Sequence, residues 1–198
     1  MEPIVLNESL LLTGAYLLGS VPTGLLLAKA FGVDIRATGS GNIGATNVYR
    51  TLGRTVGVMT LVGDCLKGVI PVLAAKQLGY PVEWVAAIGL AAFLGHVYSV
   101  FLGFKGGKGV ATALGVFLAT APLTVLCALA VFITVVLKWR YISLASITAA
   151  AAMPFFIILL DRQPPYIAMA IMLSAIVIFK HRENIDRLRN GTESKFKA

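Results

Sequence analysis

Charged residues are scarce in this chain. They make up 13% of the 198 residues, whereas 58% are apolar. So small a charged fraction cannot supply the polar surface of a soluble domain, which excludes an ordinary water-soluble protein. The apolar residues form long stretches, and 84–102, 121–137 and 164–179 contain no charged residue. Each stretch approaches the roughly 20 residues with which a helix crosses a bilayer, so the sequence predicts an all-α, polytopic integral membrane protein.

Histidine and cysteine are also rare, with two residues of each. Cys65 and Cys127 both fall inside predicted membrane helices, so we expect small buried side chains and no disulfide framework. The histidines and the scattered carboxylates show no metal-ligand spacing, and we expect neither a metal nor a cofactor. The net charge of +8 is explained by the orientation rule for membrane proteins, so we expect no nucleic-acid partner.

The apolar stretches and their basic connectors predict seven transmembrane helices within one domain, 1–198. The predicted ranges are 7–31, 52–77, 83–102, 108–120, 122–138, 142–160 and 164–180. Residues 108–138 are too many for one straight span and too few for two standard ones. Pro122 favours two short helices over one tilted span.

The basic residues indicate the orientation of these helices. One side carries most of them, together with the C-terminal tail: Arg36, Arg50, Arg54, Lys105, Lys108, Lys138 and Arg140. The opposite side keeps only Lys76 and Arg162. The positive-inside rule therefore places the N-terminus outside and the C-terminus in the cytoplasm.

Glycines and short polar side chains fill the first connector, where residues 36–50 read Arg-Ala-Thr-Gly-Ser-Gly-Asn-Ile-Gly-Ala-Thr-Asn-Val-Tyr-Arg. The glycine spacing matches a dinucleotide-binding fingerprint, but that fingerprint requires a preceding strand, and membrane helices flank this one. Glycines let backbone amides close on an anion, and polar side chains add donors. We interpret the connector as a phosphate-binding loop, with an ordinary glycine-rich turn as the alternative; its donors are Ser40, Asn42, Thr46, Asn47 and Arg50.

Two lysines lie among glycines in the second basic connector. Residues 103–112 read Gly-Phe-Lys-Gly-Gly-Lys-Gly-Val-Ala-Thr at the start of a predicted helix. The spacing is not that of a Walker A motif, yet amides, a helix N-terminus and lysine charge all favour an anion. The candidates for phosphate binding are Lys105, Gly106, Gly107, Lys108 and Gly109, with simple orientation lysines as the alternative. His96 precedes them inside a helix, where a packing role competes with a catalytic one.

Two further polar groups lie near predicted helix ends on the same side. Ser143 and Ser146 share one face of the sixth helix, where hydrogen bonds to neighbouring helices are the alternative to a site role. His181 and Asn184 share one face beyond the seventh helix, where binding of lipid headgroups by the basic tail is the alternative. Under this topology helices two, four and six begin at this side, so three positive dipole ends favour one shared anion site.

Asp64 and Lys67 lie three residues apart inside the second predicted helix. Ionisable residues at membrane depth are costly and are usually paired or functional. We expect an internal ion pair that supports the site, with direct catalysis as the alternative.

Together these motifs resemble those of the bacterial acyl-phosphate:glycerol-3-phosphate acyltransferase family (PlsY). The resemblance is carried by residues 39–47, 103–112 and 181–185, and the segments 64–68 and 140–146 fit it too. It spans essentially the whole chain. It implies an enzyme that transfers an acyl group from acyl phosphate, without acyl-CoA or acyl carrier protein, to the primary hydroxyl of glycerol 3-phosphate. The product is lysophosphatidic acid, formed in phospholipid biosynthesis at the cytoplasmic face of the bacterial inner membrane.

The residues and the resemblance together assign roles. Ser143, His181 and Asn184 are expected to position glycerol 3-phosphate, while the basic loops bind phosphate. Direct transfer is expected because no activated nucleophile or Gly-x-Ser-x-Gly motif is visible. The proton acceptor is either His181 or a substrate phosphate oxygen. The supporting residues are Asp64, Lys67, His96, Arg140, Ser146 and Glu183.

A transporter or anion channel is the competing class of function. It predicts a polar lining on the outer side, which residues 78–82 and 161–165 hardly provide. The expected partners of the enzyme are acyl phosphate, glycerol 3-phosphate and membrane lipids. Docking of an acyl phosphate synthase stays open at this stage.

Overall fold

The computed structural model describes residues 2–196, with side chains from Glu8 onward. Within that range it contains ten α-helices, one short 3₁₀ helix and no strand. The all-helical architecture confirms the predicted fold class. Two compact units divide the chain, Met1–Ala119 and Thr120–Ala198.

The first unit is built from six helices in chain order: α1 (Glu2–Ser20), α2 (Thr23–Ala30), α3 (Ala45–Leu52), α4 (Arg54–Gln77), α5 (Val82–Val97) and α6 (Val110–Thr120). The predicted helix 7–31 is interrupted between α1 and α2, where Pro22 cannot donate a backbone hydrogen bond. Helix α3 lies within the first connector, where the sequence predicted only a loop. A 3₁₀ helix, Val100–Leu102, follows α5.

The second unit contains four helices: α7 (Pro122–Trp139), α8 (Ile142–Leu160), α9 (Pro164–Lys180) and α10 (Arg182–Arg189). Helix α8 packs against both α7 and α9. Pro122 occupies the first turn of α7, where its missing N–H needs no partner. The break after Thr120 confirms the prediction of two helices in 108–138.

Five helices of the described chain are long and apolar enough to cross a membrane, or six if the bent pair α9 and α10 is counted as one span. Helix α6 has 11 residues, which is a rise of about 16 Å, against a hydrocarbon core of about 30 Å. Large apolar side chains are exposed along the second unit, as lipid contact requires: Leu126, Leu137, Phe155 and Ile158. The predicted count of seven spans stays a prediction.

Glycine allows two helices of the first unit to cross at close range. A side chain at Gly19 of α1 would overlap the backbone of Ala92 in α5, and one at Gly95 of α5 would overlap the backbone of Tyr16. Small residues at helix crossings are the usual solution where lipid, and not water, surrounds the protein. This close contact fixes the end of α5, which carries His96.

Candidate functional site

The side chain of Asn47 lies inside the first connector and bonds to its backbone. Its side chain is almost fully buried. The carbonyl oxygen Oδ1 accepts a hydrogen bond from the Ser40 amide at 2.9 Å. The amide nitrogen Nδ2 donates to the carbonyls of Ile35, Thr38 and Asn42 at 3.2, 3.1 and 2.9 Å. The hydrogen bonds of this side chain therefore hold the loop together, although the sequence suggested a donor for an anion.

Backbone conformation in the same loop requires glycine at two positions. Gly39 and Gly41 have φ of 59° and 68°, in the left-handed region. A Cβ atom at Gly39 would also overlap Oδ1 of Asn47. The connector is thus a defined loop, which supports a binding role over a flexible linker.

The polar side chains of the first connector reach the surface around this buried amide. Ser40 and Arg50 are exposed, and Thr46 is half-buried. Thr46 and Arg50 are four residues apart on α3 and so share a face of that helix. Asn42 accepts a hydrogen bond from the Gly44 amide at 2.8 Å and shapes the turn before α3. A hydroxyl donor and a guanidinium side by side suit a phosphate group.

The second basic connector folds back onto the C-terminal end of α5. The amides of Gly106 and Gly107 donate to the carbonyls of Val97 and His96 at 3.2 and 3.1 Å. We expected these amides to be open to an anion, but the last carbonyls of a helix need donors and take them. Arg36 also donates to the Lys105 carbonyl at 3.0 Å, which connects the two loops. Gly106 and Gly107 therefore close the loop that presents Lys105 and Lys108.

A buried chain of three polar side chains supports this second loop. Lys67 Nζ lies 2.6 Å from Asp64 Oδ1 and 2.6 Å from the Val21 carbonyl. It also lies 3.3 Å from Nδ1 of His96. The predicted internal ion pair is confirmed, and the backbone carbonyl of Asp64 additionally accepts from the Thr112 hydroxyl at 2.9 Å.

The contact with Lys67 decides the tautomer of His96. An ammonium group has no lone pair, so Nδ1 of His96 must accept, and the ring hydrogen lies on Nε2. Nε2 lies directly against Gly107, because a Cβ atom at that position would overlap it. His96 is thus a neutral ring that packs against Gly107 and supports the second basic connector.

In the second unit, Ser143 and Asn184 meet on one carboxylate. The Ser143 hydroxyl donates to Oε1 of Glu193 at 2.7 Å, and Nδ2 of Asn184 donates to the same oxygen at 2.8 Å. Both polar side chains are buried. Two of the three residues predicted to position substrate are therefore adjacent, although they are 41 positions apart in the sequence. Glu193 itself was not predicted.

Arg187 completes the environment of Glu193. Its Nε lies 2.7 Å from Oε2 of the carboxylate. Burial alone raises the pKa of Glu193, but hydrogen bonds from Arg187, Ser143 and Asn184, with the Arg187 charge, hold that pKa below its ordinary value. The carboxylate is therefore ionised at neutral pH.

His181 lies at the junction of α9 and α10, three residues before Asn184, and its side chain is buried. Its Nδ1 lies 2.7 Å from the Val177 carbonyl. A carbonyl only accepts, so Nδ1 carries a hydrogen, and the neutral form of this ring has its lone pair on Nε2. That tautomer is the one a general base requires.

The remaining predicted residues of the second unit have local roles. Ser146 donates to the Ile142 carbonyl within its own helix at 2.8 Å. Arg140 ends α7 with φ of 62°, and its carbonyl accepts from the Phe196 amide at 2.6 Å. Glu183 is exposed in the first turn of α10. Ser146 and Arg140 therefore bond to backbone groups near Ser143 and in the tail, whereas Glu183 faces outward.

We expect Asn47→Asp to open the first loop. The substitution keeps the shape but replaces the NH₂ group that three carbonyls share with a repelling carboxylate oxygen, and each unpaired buried group costs about 1–3 kcal/mol. Protease cleavage within residues 36–44 of the purified protein should accelerate at least about tenfold. The matched control is Asn190→Asp, at an exposed position. Equal cleavage rates in both variants would contradict the role assigned to Asn47.

Comparison with known proteins places these features in context. Residues 9–191 match a family model described as glycerol-3-phosphate acyltransferase. A glycerol-3-phosphate acyltransferase of Geotalea daltonii is 70% identical over 96% of this chain and 98% of its own. One from Geobacter sulfurreducens is 69% identical over 98% and 100%.

Two solved structures are similar over the full fold. One is PlsY, an integral membrane glycerol 3-phosphate acyltransferase, in its glycerol 3-phosphate form, with a TM-score of 0.93, 46% identity and 96% of each chain covered. The other is its lysophosphatidic acid form, with a TM-score of 0.90 at the same identity and coverage.

Proposed function

Because the chain belongs to the glycerol-3-phosphate acyltransferase family, we propose that it transfers a fatty acyl group from acyl phosphate to the primary hydroxyl of glycerol 3-phosphate. The products are lysophosphatidic acid and phosphate. The observation that carries the proposal is the different hydrogen-bonding character of the two units. The first presents donors and cations suited to phosphate, and the second presents a histidine whose lone pair suits a hydroxyl group.

Phosphate binding falls to the loops of the first unit. Arg50, Lys105 and Lys108 neutralise phosphate charge, and the hydroxyl groups of Ser40 and Thr46 orient its oxygens. Asn47, Gly106 and Gly107 contribute indirectly, because their hydrogen bonds to backbone groups hold the loops in shape. The ion pair of Asp64 and Lys67 supports the second loop through His96.

The chemical step is a direct transfer. The primary hydroxyl oxygen of glycerol 3-phosphate attacks the acyl carbonyl carbon, and the bond from that carbon to the phosphate oxygen breaks. Nε2 of His181 takes the hydroxyl proton, as its tautomer permits, and the leaving phosphate carries the electron pair. Acyl phosphate is already activated, so the protein needs no nucleophile of its own.

Location and topology extend the proposal. We place the protein in the bacterial inner membrane as one acyltransferase domain with seven spans, the N-terminus outside and the C-terminus and active site cytoplasmic. The basic connectors and tail support this orientation, because cytoplasmic segments carry the excess of lysine and arginine. The acyl chain of the donor lies in the lipid phase, where exposed apolar side chains surround the helices.

Product formation from two donors tests the proposed reaction. Purified protein in lipid vesicles receives glycerol 3-phosphate with either palmitoyl phosphate or palmitoyl-CoA. We expect lysophosphatidic acid from palmitoyl phosphate alone, and a large loss of activity with Lys105→Ala. Product from palmitoyl-CoA alone would contradict acyl phosphate as the donor. Product from neither donor, with the protein folded, would contradict the acyltransferase function.

Substitution of His181 tests the base. A positioned general base contributes about 10²–10⁴-fold, so His181→Ala and His181→Asn should both lower kcat by that amount. Asparagine can still donate to the Val177 carbonyl but offers no basic nitrogen. If His181→Asn keeps wild-type kcat, the ring only stabilises the junction of α9 and α10, and a phosphate oxygen is the proton acceptor.

A further inference from the structure

Glu193 is a buried carboxylate in the tail, where no site residue was predicted beyond Asn184. Its side chain is 6% exposed. The tail turns back after α10 at Gly191, with φ of 69°. The amides of Thr192 and Glu193 then donate to the Arg187 carbonyl at 2.8 and 3.2 Å, and Phe196 donates to Arg140. Backbone hydrogen bonds on both sides therefore fix the carboxylate on the Ser143 cluster.

The carboxylate determines what Ser143 can do. An ionised carboxylate only accepts, and a serine hydroxyl has one hydrogen. That hydrogen is directed to Oε1 of Glu193 at 2.7 Å. Ser143 can therefore only accept a further hydrogen bond. It suits a substrate hydroxyl, which donates, and not an ionised phosphate oxygen, which accepts.

We propose that Glu193 is a positioning residue that fixes Ser143 as the acceptor for the secondary, non-reacting hydroxyl of glycerol 3-phosphate. The proposal rests on the proposed function of this chain. It gives the second unit a role in acceptor specificity, because a substrate without that hydroxyl offers no donor to the oxygen of Ser143.

The secondary hydroxyl is chosen over the primary one for a chemical reason. The primary hydroxyl must lose its proton during transfer, and Ser143 could pass a proton on only to Glu193. The lowered pKa makes that carboxylate a poor proton acceptor. Nε2 of His181 is the better partner for the reacting group, which leaves Ser143 for the other hydroxyl.

The geometry predicts that Glu193→Gln reverses the polarity of Ser143. Arg187 bonds to one oxygen of the carboxylate, whereas Ser143 and Asn184 share the other. The glutamine amide has a single oxygen, and the charged Arg187 holds it by the stronger hydrogen bond. The NH₂ group then replaces the oxygen that Ser143 and Asn184 share, so Asn184 loses this acceptor. The NH₂ group donates to Ser143, so the serine hydrogen turns away and Ser143 becomes a donor.

Acceptor discrimination measures this change. The ratio of kcat/KM for glycerol 3-phosphate to that for 3-hydroxypropyl phosphate, which lacks the secondary hydroxyl, is determined with palmitoyl phosphate as donor. We expect Glu193→Gln to lower this ratio by at least about tenfold, through KM for glycerol 3-phosphate, while KM for palmitoyl phosphate stays unchanged. Asp186→Asn, at an exposed position of α10, is the matched control and should leave the ratio unchanged.

A double-mutant cycle separates positioning from general damage. If Glu193 acts through Ser143, Glu193→Gln should lower the ratio no further in the Ser143→Ala background. An unchanged ratio in Glu193→Gln, or an equal loss with and without the Ser143 hydroxyl, would overturn the inference while wild-type activity persists. A wild-type protein that makes no lysophosphatidic acid would instead overturn the proposed function.

Discussion

Gly106→Ala is expected to reduce acyl transfer at least about a hundredfold, since displacement of a catalytic loop by about 1 Å has costs of that size. The added methyl group would overlap the backbone oxygen of His96. Backbone atoms in a packed helix cannot give way as a flexible side chain can. The loop must then leave α5 and carry Lys105 with it. Acyl transfer from palmitoyl phosphate by the purified variant measures the effect.

The matched control is Gly14→Ala in α1, where a Cβ atom meets nothing within 4 Å. It is expected to keep wild-type activity. Both variants should retain their helical circular dichroism, because the clash at Gly106 is local. Full activity of Gly106→Ala would show that the loop does not need its contact with His96.

Lys67→Met is expected to destabilise the protein by about 3–5 kcal/mol, because removal of one partner leaves the other charge buried and unpaired. Asp64 is only 2% exposed, so water cannot take the place of the ammonium group. The first unit should therefore lose stability throughout, and the thermal midpoint in detergent should fall. Thermal unfolding of purified protein measures the shift.

The double variant Asp64→Leu/Lys67→Met provides the control for this prediction. Replacement of a whole buried ion pair by apolar residues is often neutral, so the double variant should recover most of the lost stability. If it is as unstable as Lys67→Met alone, the lysine contributes through packing or through its bond to Val21, and not mainly by neutralising Asp64.

The helical fold was predictable because long apolar stretches have few other solutions in lipid. The predicted helix 52–77 corresponds to α4, Arg54–Gln77, within two residues at its start. Helix α3, Ala45–Leu52, was missed because it is a short amphipathic segment of eight residues that directly follows the glycine-rich stretch 39–44. The interruption at Pro22 was missed because the flanking apolar residues continue through it.

The candidate site was predictable in its residue types but not in its hydrogen-bond directions. Glycines and lysines of the second connector indicated an anion loop, yet the sequence could not show that Gly106 and Gly107 donate to α5. The role of Asn47 inside its loop depends on three carbonyls that precede it by 5 to 12 residues. Such pairings are properties of the folded chain and leave no local pattern.

Glu193 shows where a signal existed and was not used. Asn190 and Gly191 follow a basic, polar helix, and glycine at that position commonly ends a helix and reverses the chain. This pattern predicts that the residues after Gly191 return toward α10. The prediction for the tail beyond Asn184 was limited to binding of lipid headgroups by its basic residues, so the carboxylate was overlooked.

The central claim is that the chain is an enzyme acting on glycerol 3-phosphate, and one measurement tests it most directly. Labelled glycerol 3-phosphate and palmitoyl phosphate are added to sealed proteoliposomes that contain the purified protein. The account predicts that the label is recovered in the lipid phase as lysophosphatidic acid, in amounts that rise with palmitoyl phosphate. Label that accumulates as free glycerol 3-phosphate inside the vesicles, with none in lipid, would contradict the account and indicate a transporter.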